Sequence, residues 1–129
     1  MKIVTHAIRL LLGLGFTLFG ANFFFPFIPM PAPPEAARAL GTAMYNSGYL
    51  MQVAHALELI SGLLILSGFF VPLGLTLLAP VLVNIVLFDT FLAPGNIPLA
   101  WGLLALEVFL IWRYGSYFRP LFTVRAAPG

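Results

Sequence analysis

Apolar residues run for the length of a membrane crossing four times along this chain, and short polar or proline-rich stretches separate the runs. The first, Leu10 to Phe25, reads LLLGLGFTLFGANFFF. The second, Tyr49 to Phe70, reads YLMQVAHALELISGLLILSGFF, and the third, Leu73 to Leu92, reads LGLTLLAPVLVNIVLFDTFL. The fourth covers about Ile97 to Trp112. A helix of roughly 20 apolar residues crosses a bilayer core, so spans are expected over about 8–25, 49–70, 73–92 and 97–113.

The punctuation agrees with that division. Residues 26–34, PFIPMPAPP, hold five prolines and cannot continue a helix. Glu35 to Asn46 follows as a short amphipathic helix, with Glu35 near its positive end. Ser67-Gly68 and Val71-Pro72 bracket a very short turn between the second and third spans, and Pro94-Gly95-Asn96 with Pro98 makes the next. The fold class expected is all-α: an integral membrane four-helix bundle, antiparallel, forming a single domain over residues 1–129 with an amphipathic segment between helices one and two. The first run also has the outline of a signal peptide, but Phe19 sits badly before a cut at Gly20-Ala21 and the aromatics continue to Phe25, so it is read as a span. Its stripe of Gly13, Thr17 and Gly20 lets another helix approach closely.

Composition narrows the classes. Of 129 residues, 61% are hydrophobic and 8% charged, against about 25% charged in a soluble domain. The solvent is therefore lipid, and membrane lipids are the first partners expected. The net charge of +2 comes from scattered basic residues without a basic run, so no nucleic-acid partner is expected. There is no cysteine, which excludes disulfides, thiolate chemistry and iron–sulfur ligation by cysteine. With four spans the termini share one side. Placing them in the cytoplasm puts Lys2, Arg9, Arg113, Arg119 and Arg125 inside and only Arg38 outside, which fixes the expected orientation.

Orientation converts sequence position into depth. At about 1.5 Å per residue, Glu58 lies roughly 13 Å below the outer surface, His55 about 9 Å, Asn84 about 12 Å, Asp89 about 5 Å and Glu107 about 15 Å. Asn22 is also near the outer end. Six polar side chains thus fall in the outer half of the bundle, with at least one from every span, while the inner half is nearly pure Leu, Gly, Ile and Phe. An acid within a span is by default a functional-site hypothesis. His55 lies three residues before Glu58, and Ser61 and Gly62 three and four after, so the four share a helix face. Arg9 is expected to snorkel to the cytoplasmic head groups. The two histidines, His6 and His55, stand on opposite sides of the core and cannot share a haem. No metal site is expected.

Several segments resemble the DoxX family of small four-helix bacterial membrane proteins. They are Arg9-x-x-x-Gly13 with Gly20 on helix one, Glu58-x-x-Ser61-Gly62-Leu63-Leu64 on helix two, and PLGLTLLAPVLVNIVLF over Pro72 to Phe88, the last matching a DoxX-like subgroup more closely. The similarity covers about residues 8–92, with weaker matches to the end. Family members often carry a lysine where Phe23 stands, and close relatives a histidine where Asp89 stands, so a second cationic or metal-ligating group is not implied here. Some members are subunits of thiosulfate:quinone oxidoreductases or partners in thiol-redox complexes. The resemblance therefore implies a bacterial inner-membrane, multi-pass protein associated with redox chemistry.

The expected site joins these lines. Glu58 and His55 exchange protons with the polar head group of a quinone or similar lipophilic molecule, and Asn22, Asn84, Asp89 and Glu107 are the ligand-binding residues. No intrinsic cofactor is expected, so electrons would come from a redox partner protein. Two other readings stand beside it: a non-catalytic lipid-binding or scaffold protein whose polar cluster holds helices together, and a small transporter acting as a homo-oligomer. For Asn84, four residues after Pro80, the alternative to ligand binding is satisfaction of carbonyls freed at the proline bend.

Overall fold

A computed structural model describes all 129 residues, and the chain is helical throughout with no strand. The elements are α1 (Lys2–Phe24), α2 (Glu35–Asn46), α3 (Leu50–Ser67), α4 (Val71–Leu92), α5 (Ile97–Arg113) and the single turn α6 (Gly115–Phe118), with 3₁₀ turns at Pro94–Asn96 and Arg119–Phe122. Four stretches are long and apolar enough to cross a membrane: α1, α3, α4, and Pro94–Arg113, which contains α5. Only 20 of 129 residues are buried, while Leu11, Val53, Ile60, Leu63, Leu87, Phe91 and Val108 lie exposed on the helix flanks. Burial of so few side chains cannot hold a water-soluble domain whose outside is this apolar, and lipid removes the difficulty.

Backbone chemistry sets the boundaries. The helix α1 starts at Lys2, a turn and a half before the expected span, because Lys2 to Ala7 contains no breaker. The helix α3 ends at Ser67, three residues earlier than its apolar run suggests. Gly68 takes φ +83° and its N–H bonds the Leu64 carbonyl at 3.2 Å, a left-handed cap suited to glycine. Phe70 is also left-handed at φ 59°, so the chain reverses within three residues and α4 starts at Val71 with Pro72 in its first turn. Pro98 occupies the same place in α5.

Packing follows from three glycines. A methyl group on Gly13 would stand 2.5 Å from the Leu66 backbone nitrogen, one on Gly20 2.7 Å from that of Leu59, and one on Gly62 2.5 Å from that of Thr17. The Gly13–Thr17–Gly20 stripe is therefore where α1 lies backbone-to-backbone on α3, with residue numbers rising along one and falling along the other. Gly74 brings α4 against Ile65 and Leu64 in the same manner. The helix α4 packs on α5, and α5 returns to α1. Leu12, Phe16, Ile65, Leu75, Leu78, Leu82 and Leu110 fill the interior that the four enclose.

At the end of the molecule that holds the start of α1 and the finish of α5, polar groups satisfy one another. Arg9 Nη1 donates to the Ile65 carbonyl at 2.7 Å and to the Leu66 carbonyl at 2.9 Å. It does not snorkel freely to the head groups, because the carbonyls left open at the C-terminus of α3 are within reach and carry the negative end of the helix dipole. Arg113 Nε donates to Thr5 Oγ1 at 3.0 Å, and that hydroxyl donates to the Met1 carbonyl at 2.9 Å. This terminal end is tied by guanidinium groups.

Candidate functional site

The helix α3 carries Gln52, His55, Glu58 and Ser61 at three-residue intervals, neighbours in the row lying about 60° apart around the helix. Glu58 is buried at 6% exposure, and its Oε2 lies 3.0 Å from His55 Nδ1. The two side chains differ in access: that of His55 is 23% exposed and that of Glu58 8%. His55 is further fixed by Phe23 of α1, whose ring stacks on the imidazole with centroids 4.3 Å apart and planes 13° from parallel. Phe23 also meets Tyr45 of α2 edge-on at 6.2 Å. Phe23 thus forms an aromatic wall for the histidine.

The second buried acid comes from α5. Glu107 is 1% exposed and neither carboxylate oxygen has a protein partner. Ser61 Oγ, at 0% exposure, is in the same condition, as is Gln52 Oε1. Measured along their helices at about 1.5 Å per residue, Glu58 stands roughly 12 Å from Leu50, Glu107 about 15 Å from Ile97, and Ser61 about 17 Å from Leu50. Both α3 and α5 pack on α1 and on α4, so the two acids enter one interior from different helices at comparable depth. Buried oxygens without partners are costly in an apolar setting, about 1–3 kcal/mol for a neutral group and more for a charge. Glu107 and Ser61 carry that cost at neighbouring depths, whereas Glu58 is partnered by His55.

The remaining expected residues are placed elsewhere. Asn22 Oδ1 accepts from the Phe27 and Ile28 N–H groups at 2.9 and 2.8 Å, and its Nδ2 donates to the Ile28 carbonyl at 3.2 Å. It closes the turn that leaves α1 before the proline loop. Asn84 is exposed on the outward face of α4, and its Nδ2 donates to the Pro80 carbonyl at 2.9 Å. The carbonyl that Pro80 leaves open is that of Thr76, four residues earlier, so Asn84 does not fill it. Asp89 is half-buried near the end of α4, beside the Asn96 side chain. Of the six, only His55, Glu58 and Glu107 contribute to the interior group. No three His, Asp or Glu side chains converge to hold a metal.

Sequence reasoning missed Phe23, Tyr45 and Gln52. Gln52 carried a usable signal, since it lies one turn before His55 on the same face. Phe23 and Tyr45 did not, because aromatics abound near every helix end of this chain. An open groove of about 410 Å³ adjoins this region, where α2 lies over the start of α3 and the end of α4. Arg38, Thr42 and Tyr45 line one side and Met51 and Phe88 the other. Tyr45 belongs both to this groove and to the aromatic contact that leads to His55.

No family of known proteins matches the chain, and no curated protein or solved structure does. The Glu58–His55 pair can pass a proton between a half-accessible imidazole and a buried carboxyl. Glu107 and Ser61 offer lone pairs to any donor that enters.

Proposed function

We propose that this chain is a DoxX-like subunit of a bacterial inner-membrane redox system and binds a quinone or similar lipophilic molecule between its helices. The bundle is antiparallel with both termini cytoplasmic, the orientation favoured by five basic residues against one. The observation that carries the reading is the 3.0 Å contact between His55 Nδ1 and Glu58 Oε2, with the imidazole on the accessible side and the carboxyl inside. That order suits proton delivery to or from a head group held in an apolar site. Glu107 and Ser61, without protein partners, orient the bound head group. The groove beneath α2 is the route by which a lipophilic molecule reaches His55. Electrons come from a partner protein, a reading supported by the lack of any cysteine in the chain.

The deciding experiment is mass spectrometry of an organic extract from protein purified in mild detergent, alongside Glu58→Gln and Glu107→Gln. A quinone near one per chain in the parent and depleted in both variants is the expected result. Only bulk phospholipid in all three would overturn the reading. A scaffold function is the second reading, favoured by Asn22 and Asn84, whose amides are turned onto their own backbone. It requires Glu58→Gln to lower thermal stability without removing any ligand.

A further inference from the structure

The outward face of α4 departs from what lipid tolerates. Thr76, Pro80 and Asn84 are spaced by four and exposed, and Leu73, Leu87 and Phe91 continue the same stripe. Pro80 has no N–H, so the Thr76 carbonyl loses the donor an unbroken helix would give it. The Thr76 hydroxyl donates to the Pro72 carbonyl at 2.8 Å and gives nothing to that gap. Asn84 makes one hydrogen bond, to Pro80, which leaves its Oδ1 and one amide N–H facing outward. It stands about 12 Å from Leu92 and about 20 Å from Val71, too deep for so short a side chain to reach either surface. No hydrocarbon tail can satisfy these groups.

We infer that this stripe of α4 is a docking face for α4 of a second copy of the chain, paired through the two Asn84 amides. The occupant follows from the chemistry of the group. A carboxamide is donor and acceptor at once, so two Asn84 side chains across a two-fold axis complete each other, each N–H meeting the other's Oδ1. A single asparagine at a helix contact is also a known determinant of register and partner number. The apolar neighbours fit the arrangement. Leu87 is 48% exposed and Phe91 75% exposed, and both lie in the stripe where a second α4 covers them. The equivalent apolar groove on α5, between Trp101 and Trp112, is lined only by hydrophobic residues and asks nothing of its surroundings but lipid. The inference depends on α4 crossing the membrane and on no property of the proposed ligand.

Cysteine cross-linking in native membranes tests it, because the chain has no cysteine to confuse the pattern. Leu87→Cys reports on the α4 stripe and Val108→Cys on the outward face of α5. Mild oxidation should convert Leu87→Cys to a covalent dimer and leave Val108→Cys monomeric. Adding Asn84→Leu should lower the cross-linked fraction about fivefold to tenfold, and adding Asn84→Gln, which keeps the amide, should largely preserve it. Energy transfer between labelled copies of the otherwise unaltered chain, diluted in liposomes, gives a readout that needs no Asn84 substitution. Equal cross-linking from both faces, insensitivity to Asn84→Leu, or capture of a different polypeptide without a doubled chain would overturn the proposal. So would absence of energy transfer at the protein-to-lipid ratio of the native membrane.

Discussion

The two ends of this molecule treat polar groups in opposite ways. At the terminal end, Arg9 is consumed by the carbonyls of Ile65 and Leu66, Arg113 by Thr5, and Thr5 by Met1. In the interior above it, Ser61 and both oxygens of Glu107 have no protein partner, and Gln52 Oε1 joins them nearer the far end. Ionisable groups are present in both regions, so their presence alone does not mark function. What differs is whether the chain supplies the complementary group. An end held by satisfied guanidinium contacts is a clamp, and on the proposed reading the interior's spare acceptors await a ligand.

Substitutions can break this comparison, and the largest effect belongs to the contact on which both regions depend. Gly62→Leu would drive a side chain into the Thr17 backbone, where even a Cβ falls 2.5 Å from nitrogen. Neither backbone can retreat without separating α1 from α3, so a loss of about 3 kcal/mol or more is expected. Thermal unfolding in detergent should show it, and Gly41→Leu in α2, where an added Cβ meets nothing within 4 Å, should not. Arg9→Ala comes next. It leaves two carbonyls at the end of α3 without their charged donor and should cost about 2 kcal/mol. The interior should respond with the opposite sign: Glu107→Met removes two buried oxygens that nothing satisfies and should leave stability unchanged or raise it by about 1 kcal/mol, while abolishing ligand retention. If Glu107→Met destabilised the protein as much as Arg9→Ala, the distinction between clamp and prepared site would collapse.

Much of the fold could be read before any coordinates. The apolar runs and the proline and glycine punctuation locate four long helices to within a few residues, apart from the longer start of α1. The Gly13–Thr17–Gly20 stripe names the face that meets α3. The acids were legible as well, because Glu58 and Glu107 interrupt apolar runs. What could not be read was the direction in which a polar side chain points. Asn22, Asn84 and Glu107 look alike as isolated polar residues in spans, yet Asn22 folds onto a turn, Asn84 faces outward and Glu107 faces inward. Depth along a helix follows from counting. The facing of a single residue depends on which neighbours pack against it, and here four helices of nearly uniform hydrophobicity leave too weak a polar side to orient them.

The smallest expected effect concerns Asn22, and it separates a polar residue that shapes the chain from one that serves a ligand. Its Oδ1 accepts two backbone N–H groups just past α1, within a loop where five prolines in residues 26–34 already restrict the backbone. The site is exposed, so water or lipid head groups can replace part of what is lost. Asn22→Ala should therefore cost about 1 kcal/mol, and Asn22→Asp, which keeps the acceptor, less than half of that. Phe23 is the next residue, and its ring holds His55 at 4.3 Å, so the loosened turn will be felt at the site as a small shift in ligand retention. Asn22→Ala should lower retention by no more than about twofold, a fraction of 1 kcal/mol, where Glu58→Gln removes it. Extraction and mass spectrometry of the two variants side by side would measure the ratio. A loss at Asn22 equal to that at Glu58 would mean that the turn is part of the binding site, and the boundary between shaping and binding would have to be drawn at the helix end rather than inside it.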